Sequence, residues 1–176
     1  MRNILIPTDF SACADNALRY ACNLATHIDI NKISLLHAYS SVKVPATSLH
    51  PNKHAWGYAT ADTLPINLDE LYKKLEMTAL HCAASEDIDT NKINWNFLLE
   101  EGHTPEAIAK IALEQQYQLI VMATHGENNR INEVWGSTTA STLLRTKQMM
   151  LIVPPKATFK VPKKMVYAID YKSFDI

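Results

Sequence analysis

The sequence predicts an open, parallel five-stranded α/β sheet with helices packed on both faces. Two observations predict it. Short apolar runs alternate along the chain with stretches whose apolar residues recur at helical spacing. Most of these runs are apolar at consecutive positions, as expected of strands covered on both faces. A helix between successive strands makes them parallel, joined by right-handed crossovers.

The first strand is expected over residues 3–7, NILIP, followed by the turn Thr8-Asp9-Phe10-Ser11. Ser11 can cap a helix whose inner face is Ala14, Ala17, Leu18, Ala21, Leu24, Ala25 and Ile28. Asn31-Lys32 breaks that pattern, and residues 33–39 form the second strand. Residues 40–63 form a long irregular stretch holding Pro45, Pro51 and Gly57, with Trp56 and Tyr58. Loops of this length are uncommon in compact domains and often serve as lids or binding loops. His50 and His54 are four apart within it, but Pro51 opposes a helix and further metal ligands are lacking.

The second helix is expected over 64–86, with Leu68, Leu71, Leu75, Ala79 and Cys82 inward. Residues 92–99 alternate Ile93, Trp95, Phe97 and Leu99 and read as the third strand. Thr104-Pro105-Glu106 is a cap, a first-turn proline and a first-turn acid, starting a helix that buries Ala107, Ile108, Ile111 and Ala112. Residues 119–123 are the fourth strand. Residues 137–145 are the fourth helix, burying Ala140, Leu143 and Leu144, and residues 149–153 are the fifth strand. Pro154-Pro155 ends it, and residues 155–163 read as a linker. Residues 164–171, KMVYAIDY, resemble residues 3–10, with Asp170 answering Asp9. They are expected to be the first strand of a second repeat, spanning 164–176, which pairs with a neighbouring chain or belongs to a tandem protein.

The chain has 176 residues, 47% of them hydrophobic and 20% charged, with a formal net charge of −1. That is the size of one domain with its own core. No basic block is present, which argues against an electrostatic nucleic-acid binder. No apolar run reaches the roughly 18–20 residues of a membrane span, and no signal peptide is visible. Cys13, Cys22 and Cys82 make no metal spacing, and a sparse, odd set fits a reducing compartment. The expectation is a cytoplasmic protein whose cysteines are core residues.

The most informative stretch is 119–137, LIVMATHGENNRINEVWGS. A buried strand ends at Thr124-His125-Gly126, and Gly136-Ser137 opens the next helix. Glycines and a serine at a strand-to-helix junction let backbone N–H groups approach an anion. The same residues also fit an ordinary βα loop with a capping serine. In open α/β sheets, ligands sit beyond the carboxyl ends of the strands where strand order reverses, which puts Pro7-Thr8-Asp9 on the same rim.

With these parts in place the chain resembles the universal stress protein family over residues 1–154. The carrying motifs are ILIPTDFS from Ile4, Leu36-His37-Ala38, VMATHG from Val121, Gly136-Ser137 and Leu151-Ile152-Val153-Pro154. Nucleotide-binding members carry Gly, two residues, Gly, nine residues, Gly, then Ser or Thr. Here Gly126, nine residues and Gly136-Ser137 match, while Ala123 stands at the first glycine and acidic Glu127 follows the second.

The resemblance implies a Rossmann-like sheet of order 3-2-1-4-5 and an ATP site. Pro7, Thr8 and Asp9 would lie against adenine and ribose, and the backbone of Ala38 would meet the adenine edge. Met122 and Ala123 would line the nucleoside. Gly126, Gly136, Ser137 and Thr138 would hold the phosphates, with magnesium riding on them rather than on protein ligands. It also implies a homodimer through the fifth strand, residues 149–153. No P-loop lysine or GxGxxG fingerprint is present, and turnover is not expected, so no catalytic residue is assigned. The alternatives are a dimeric interaction module with a vestigial site and, more weakly, a slow ATPase or adenylyl-transfer enzyme.

Overall fold

The computed structural model describes residues 2–40, 43–44, 62–63, 66–89, 93–124 and 136–167. Its strands are β1 (Arg2–Pro7), β2 (Ile30–Tyr39), β3 (Lys43–Val44), β4 (Asp62–Thr63), β5 (Trp95–Glu101), β6 (Leu119–Ala123) and β7 (Met149–Val153). Its helices are α1 (Ala12–Ala25), α2 (Leu68–Ser85), α3 (Thr104–Glu114) and α4 (Ser137–Leu143). Five strands form one sheet of order β5-β2-β1-β6-β7 with every pair parallel. That is the 3-2-1-4-5 order expected, with helices on both faces.

Why both faces are covered is visible in β1. Ile4 and Ile6 face one way, into a core with Ala17, Leu18, Ala21 and Cys22 of α1 and Leu75, Ala79 and Cys82 of α2. Leu5 faces the other way, into a second core with Ile108, Ile111 and Ala112 of α3 and Tyr117. A strand with period-two side chains serving two apolar layers must be apolar at every position. β6 repeats the scheme, Val121 toward the first core and Ile120 and Met122 toward the second.

Several boundaries differ from expectation, each for a physical reason. α1 ends at Ala25, with Thr26 in the C-cap position, so Ile28 lies beyond the helix. Asn31 and Lys32 are therefore not a break; they lie within β2, which starts at Ile30. α2 starts at Leu68 rather than at 64, because the Asn67 side chain accepts from Glu70 N–H and caps it. Its inner face starts at Leu75, with Leu68 exposed. β5 runs from Trp95 to Glu101, since its parallel ladder with β2 continues to Tyr39↔Glu101. At α3, His103 rather than Thr104 occupies the cap position, without a side-chain cap bond.

The stretch expected to be irregular has paired ends: β3 and β4 form an antiparallel ladder, Lys43↔Thr63 and Val44↔Asp62. His50, His54, Trp56 and Tyr58 lie outside the described residues. In α4 the buried residues are Thr139 and Thr142, not the leucines; Leu143 is 45% and Leu144 85% exposed. The threonine hydroxyls bond Ala123 and Thr138 carbonyls, so the polar side of this short helix is its packed side.

The stretch after β7 is docked in its first part. Asn16 Nδ2 on α1 donates to the Pro154 and Ala157 carbonyls, and the Phe159 ring sits 5.1 Å from Tyr20 and 5.2 Å from His27. Residues 161–167 are exposed and without regular structure. Among the described residues, no helix is long and apolar enough to cross a membrane. Cys22 and Cys82 are buried where α1 meets α2, and all three cysteines are free. A hydrogen bond to Cys82 and then burial push the Cys22 thiol well up, so it is held as a thiol rather than a reactive thiolate.

A buried polar cluster lies on the α3 face of the sheet. The Tyr117 hydroxyl donates to Ser34 Oγ at 2.6 Å, and Asn96 Nδ2 donates to the same oxygen at 3.2 Å. Ser34 is fully buried and Tyr117 nearly so. We predict that Tyr117→Phe lowers unfolding free energy by about 1 kcal/mol, the net worth of one buried hydrogen bond. Urea titration checks it; an unchanged midpoint would contradict the role given to this bond.

Candidate nucleotide-binding site

β1 is the point at which strand order reverses, because the chain builds outward to β2 and β5 and then returns to β6 and β7 on the other side. The ladder between β1 and β6 holds Ile4↔Leu119 and Leu5↔Ile120. Beyond it β1 continues to Pro7 paired only with β2, and β6 to Ala123 paired only with β7, so the two strands part from each other at the carboxyl rim, where such sheets form a ligand crevice.

On one side of the crevice stands the turn after β1, held by several specific hydrogen bonds. Thr8 N–H donates to the Leu36 carbonyl at 2.8 Å, extending the ladder with β2. Thr8 Oγ1 accepts from Phe10 N–H and Asp9 Oδ1 accepts from Ser11 N–H, both at 3.0 Å. Ser11 Oγ then caps α1 through Ala14 N–H at 3.2 Å. These are local side-chain-to-backbone turns, the conformational niche that Thr, Asp and Ser favour. Pro7 and Thr8 are buried and Asp9 is exposed. Burial raises the pKa of Asp15, in the first turn of α1, and the charge of Arg19 opposes that shift.

On the other side, β6 and α4 are pinned together. Gly136 N–H donates to the Thr124 carbonyl at 2.5 Å, and Thr139 Oγ1 donates to the Ala123 carbonyl at 2.8 Å. Thr124 N–H donates to Val153 O, tying the same corner to β7. Gly136 occupies the α4 cap position at φ −64°, which any residue can adopt, and it provides no side-chain cap. Ser137 and Thr138, in the first turn, are exposed at this corner. α4 has only seven residues, so an anion here would be held by individual N–H groups and hydroxyls more than by a long macrodipole.

The structure thus brings Pro7, Thr8 and Asp9 to the rim beside Ala38 of β2, and Met122 and Ala123 to the rim beside Gly136, Ser137 and Thr138. Ala38 pairs with Glu100 near the end of the β2–β5 ladder. Met122 is turned to the α3 layer and Ala123 to the α1 layer. Gly126 and Glu127, with residues 125–135 as a whole, lie outside the described residues. Among the described residues, no group of three or more His, Cys, Asp and Glu side chains is arranged to hold a metal ion.

His37, expected from the sequence to be a packed, satisfied strand residue, is one: its Nδ1 donates to the Thr8 carbonyl at 2.9 Å, the oxygen being able only to accept, a partner that no sequence signal names. An open cavity of about 380 Å³ at the ends of β2 and β5 is lined by Ser40, Glu101, Gly102, His103 and Thr104. Gly102, at φ +141°, makes the turn there, a conformation glycine adopts readily. An EG pair before a helix is the only sequence signal for that turn, and nothing in it foretells a cavity.

The family model described as the universal stress protein family matches residues 1–154. Comparison with curated proteins returned no match. Among solved structures, the hypothetical protein MJ0577 is similar at 21% identity and a TM-score of 0.63, over 89% of this chain and 98% of that one. A universal stress protein in complex with cAMP is similar at 20% identity and a TM-score of 0.56, over 86% of this chain and 95% of that one. The universal stress protein from Archaeoglobus fulgidus in complex with dAMP is similar at 16% identity and a TM-score of 0.53, over 86% of this chain and 97% of that one. At these identities the likeness speaks for the fold, and the match of the family model speaks for descent: the chain belongs to the universal stress protein family.

Proposed function

We propose that the chain is an adenine-nucleotide-binding module of the stress response, with ATP and its magnesium ion as the ligand. The observation that carries this is the crevice between the ends of β1 and β6, flanked by the Thr8–Asp9 turn on one side and the pinned Ala123–Thr124 and Gly136–Thr139 corner on the other. Pro7, Thr8, Asp9 and Ala38 would take the adenosine and Met122 and Ala123 its floor. Gly126, Ser137 and Thr138 would take the phosphates, with Gly136 at the corner beside them. Related structures that hold cAMP and dAMP support an adenine nucleotide as the class of ligand. Gly136 N–H is already donated to Thr124, which gives that glycine a share in building the corner and leaves phosphate contacts to the residues after it.

The module would act by binding rather than turnover. Asp9 accepts from Ser11 N–H and so shapes the turn, a role that competes with service as a general base. Three free cysteines, among them Cys22 held as a thiol by its hydrogen bond to Cys82, fit a reducing cytoplasm. By sequence, residues 164–176 would be the opening strand of a second repeat when paired with a neighbouring chain; residues 164–167 here are exposed and not in a strand.

A dimeric interaction module is the second reading, favoured by one specific observation. β7 is an edge strand, and Met149 at its start is 64% exposed, as Leu144 is at 85% on the neighbouring helix end. An apolar edge of this kind pairs readily with another chain. A vestigial site would leave this as the sole activity.

Calorimetry with magnesium-ATP separates the readings. We predict saturable binding, tightened several-fold by Ala123→Gly, which restores the first glycine of the motif. Thr139→Val, which breaks the pin to Ala123, is predicted to weaken binding by about three- to tenfold, the cost of one hydrogen bond. No heat and no thermal shift at millimolar nucleotide would end the proposal. Light scattering is predicted to give a dimer, converted to monomer by Met149→Glu with Leu144→Glu; a wild-type monomer at high concentration contradicts the edge-strand reading.

A further inference from the structure

The turn after β1 contains a strained residue that the nucleotide reading leaves unexplained. Phe10 sits at φ +61°, in the left-handed region that side chains with a Cβ rarely adopt. Such strain persists only where the surroundings over-determine it, and it concentrates at functional sites. Here the surroundings are identifiable. The Phe10 ring packs against the α1–α2 core and lies 4.6 Å from the His37 ring, centroid to centroid, at an interplanar angle of 40°. The Lys74 ammonium of α2 stands 4.1 Å from the centre of the same ring, within cation–π range. His37 also donates to the Thr8 carbonyl, so one imidazole holds the turn at two points.

Resting on the adenine-nucleotide reading of this site, we propose that Phe10 is its positioning residue. Clasped between His37 of β2 and Lys74 of α2, it holds the Thr8–Asp9 turn in the ligand-ready conformation and transmits occupancy of the site to α2. Phe10 need not touch the nucleotide. Its ring fixes the backbone that presents Thr8 and Asp9, and a relaxed turn would lose that presentation. Because linkage is reciprocal, a ligand that needs the strained turn must in turn strengthen the Phe10–Lys74 contact. α2 directly follows residues 40–67, so the contact joins the rim to the longest connection in the chain.

The test is a thermodynamic cycle on the full chain. Magnesium-ATP affinity is measured for wild type, Phe10→Leu, Lys74→Met and the double variant, alongside hydrogen exchange of α2 amides with and without nucleotide. Lys74 is exposed, so Lys74→Met keeps a folded protein even if Phe10→Leu does not. Each single substitution is expected to weaken binding about five- to tenfold, and the double variant no more than the worse single one. Nucleotide is expected to slow α2 exchange in wild type but not in Lys74→Met. Wild-type binding that Lys74→Met leaves unchanged, or losses that simply multiply, would overturn the positioning role and spare the nucleotide reading. A wild type that binds no adenine nucleotide would overturn both.

Discussion

Parallel pairing of β1 with strands on both its sides is the constraint on which the rest of this molecule depends. It forces β1 to be apolar at successive positions, which demands two helical layers, and it gathers the carboxyl ends of the strands at one rim. Because β1 is also where strand order reverses, the connections leaving β1 and β6 run to opposite faces of the sheet, the arrangement that places ligand crevices in such folds. The polar residues that close β1 and β6 are therefore the residues a ligand would meet. Their chemistry is otherwise ordinary: Thr, Asp and Ser forming turns, and a short helix pinned by a threonine.

The rim is built by hydrogen bonds that each serve two ends. Thr139 packs α4 and fixes the carbonyl of Ala123. His37 belongs to β2 yet holds the turn after β1. Asp9 shapes the entry to α1 while lying exposed at the crevice. A site made in this way is rigid where its backbone is shared with the sheet. Phe10 is the exception, a strained residue whose ring is met by side chains from two other elements.

The strands of the sheet were legible because buried parallel strands leave a consecutive apolar signature, as at Ile4-Leu5-Ile6 and Leu119–Ala123, whereas their order was implied only by the resemblance to the family. Tight turns were legible for the same kind of reason, since Asp, Ser and Thr compete for backbone N–H groups locally. Errors came where tertiary context overrode local pattern. Asn31 and Lys32 look like a break but sit in a strand held by β1, and Asn67 rather than the earlier apolar residues decides where α2 begins. The α4 leucines look like a core face, yet the threonines are buried because their hydroxyls find carbonyls. The Phe10–His37–Lys74 cluster joins three separate elements and has no local pattern to announce it.

The most direct test of the account is a ¹H–¹⁵N titration of the full chain with magnesium-ATP. The account predicts that the largest shifts cluster at the amides of Thr8 to Ser11, Ala38, Ala123, Thr124 and Ser137 to Thr139, with the β7 edge little affected. Shifts confined to any other surface, or none at all at saturating nucleotide, would contradict it.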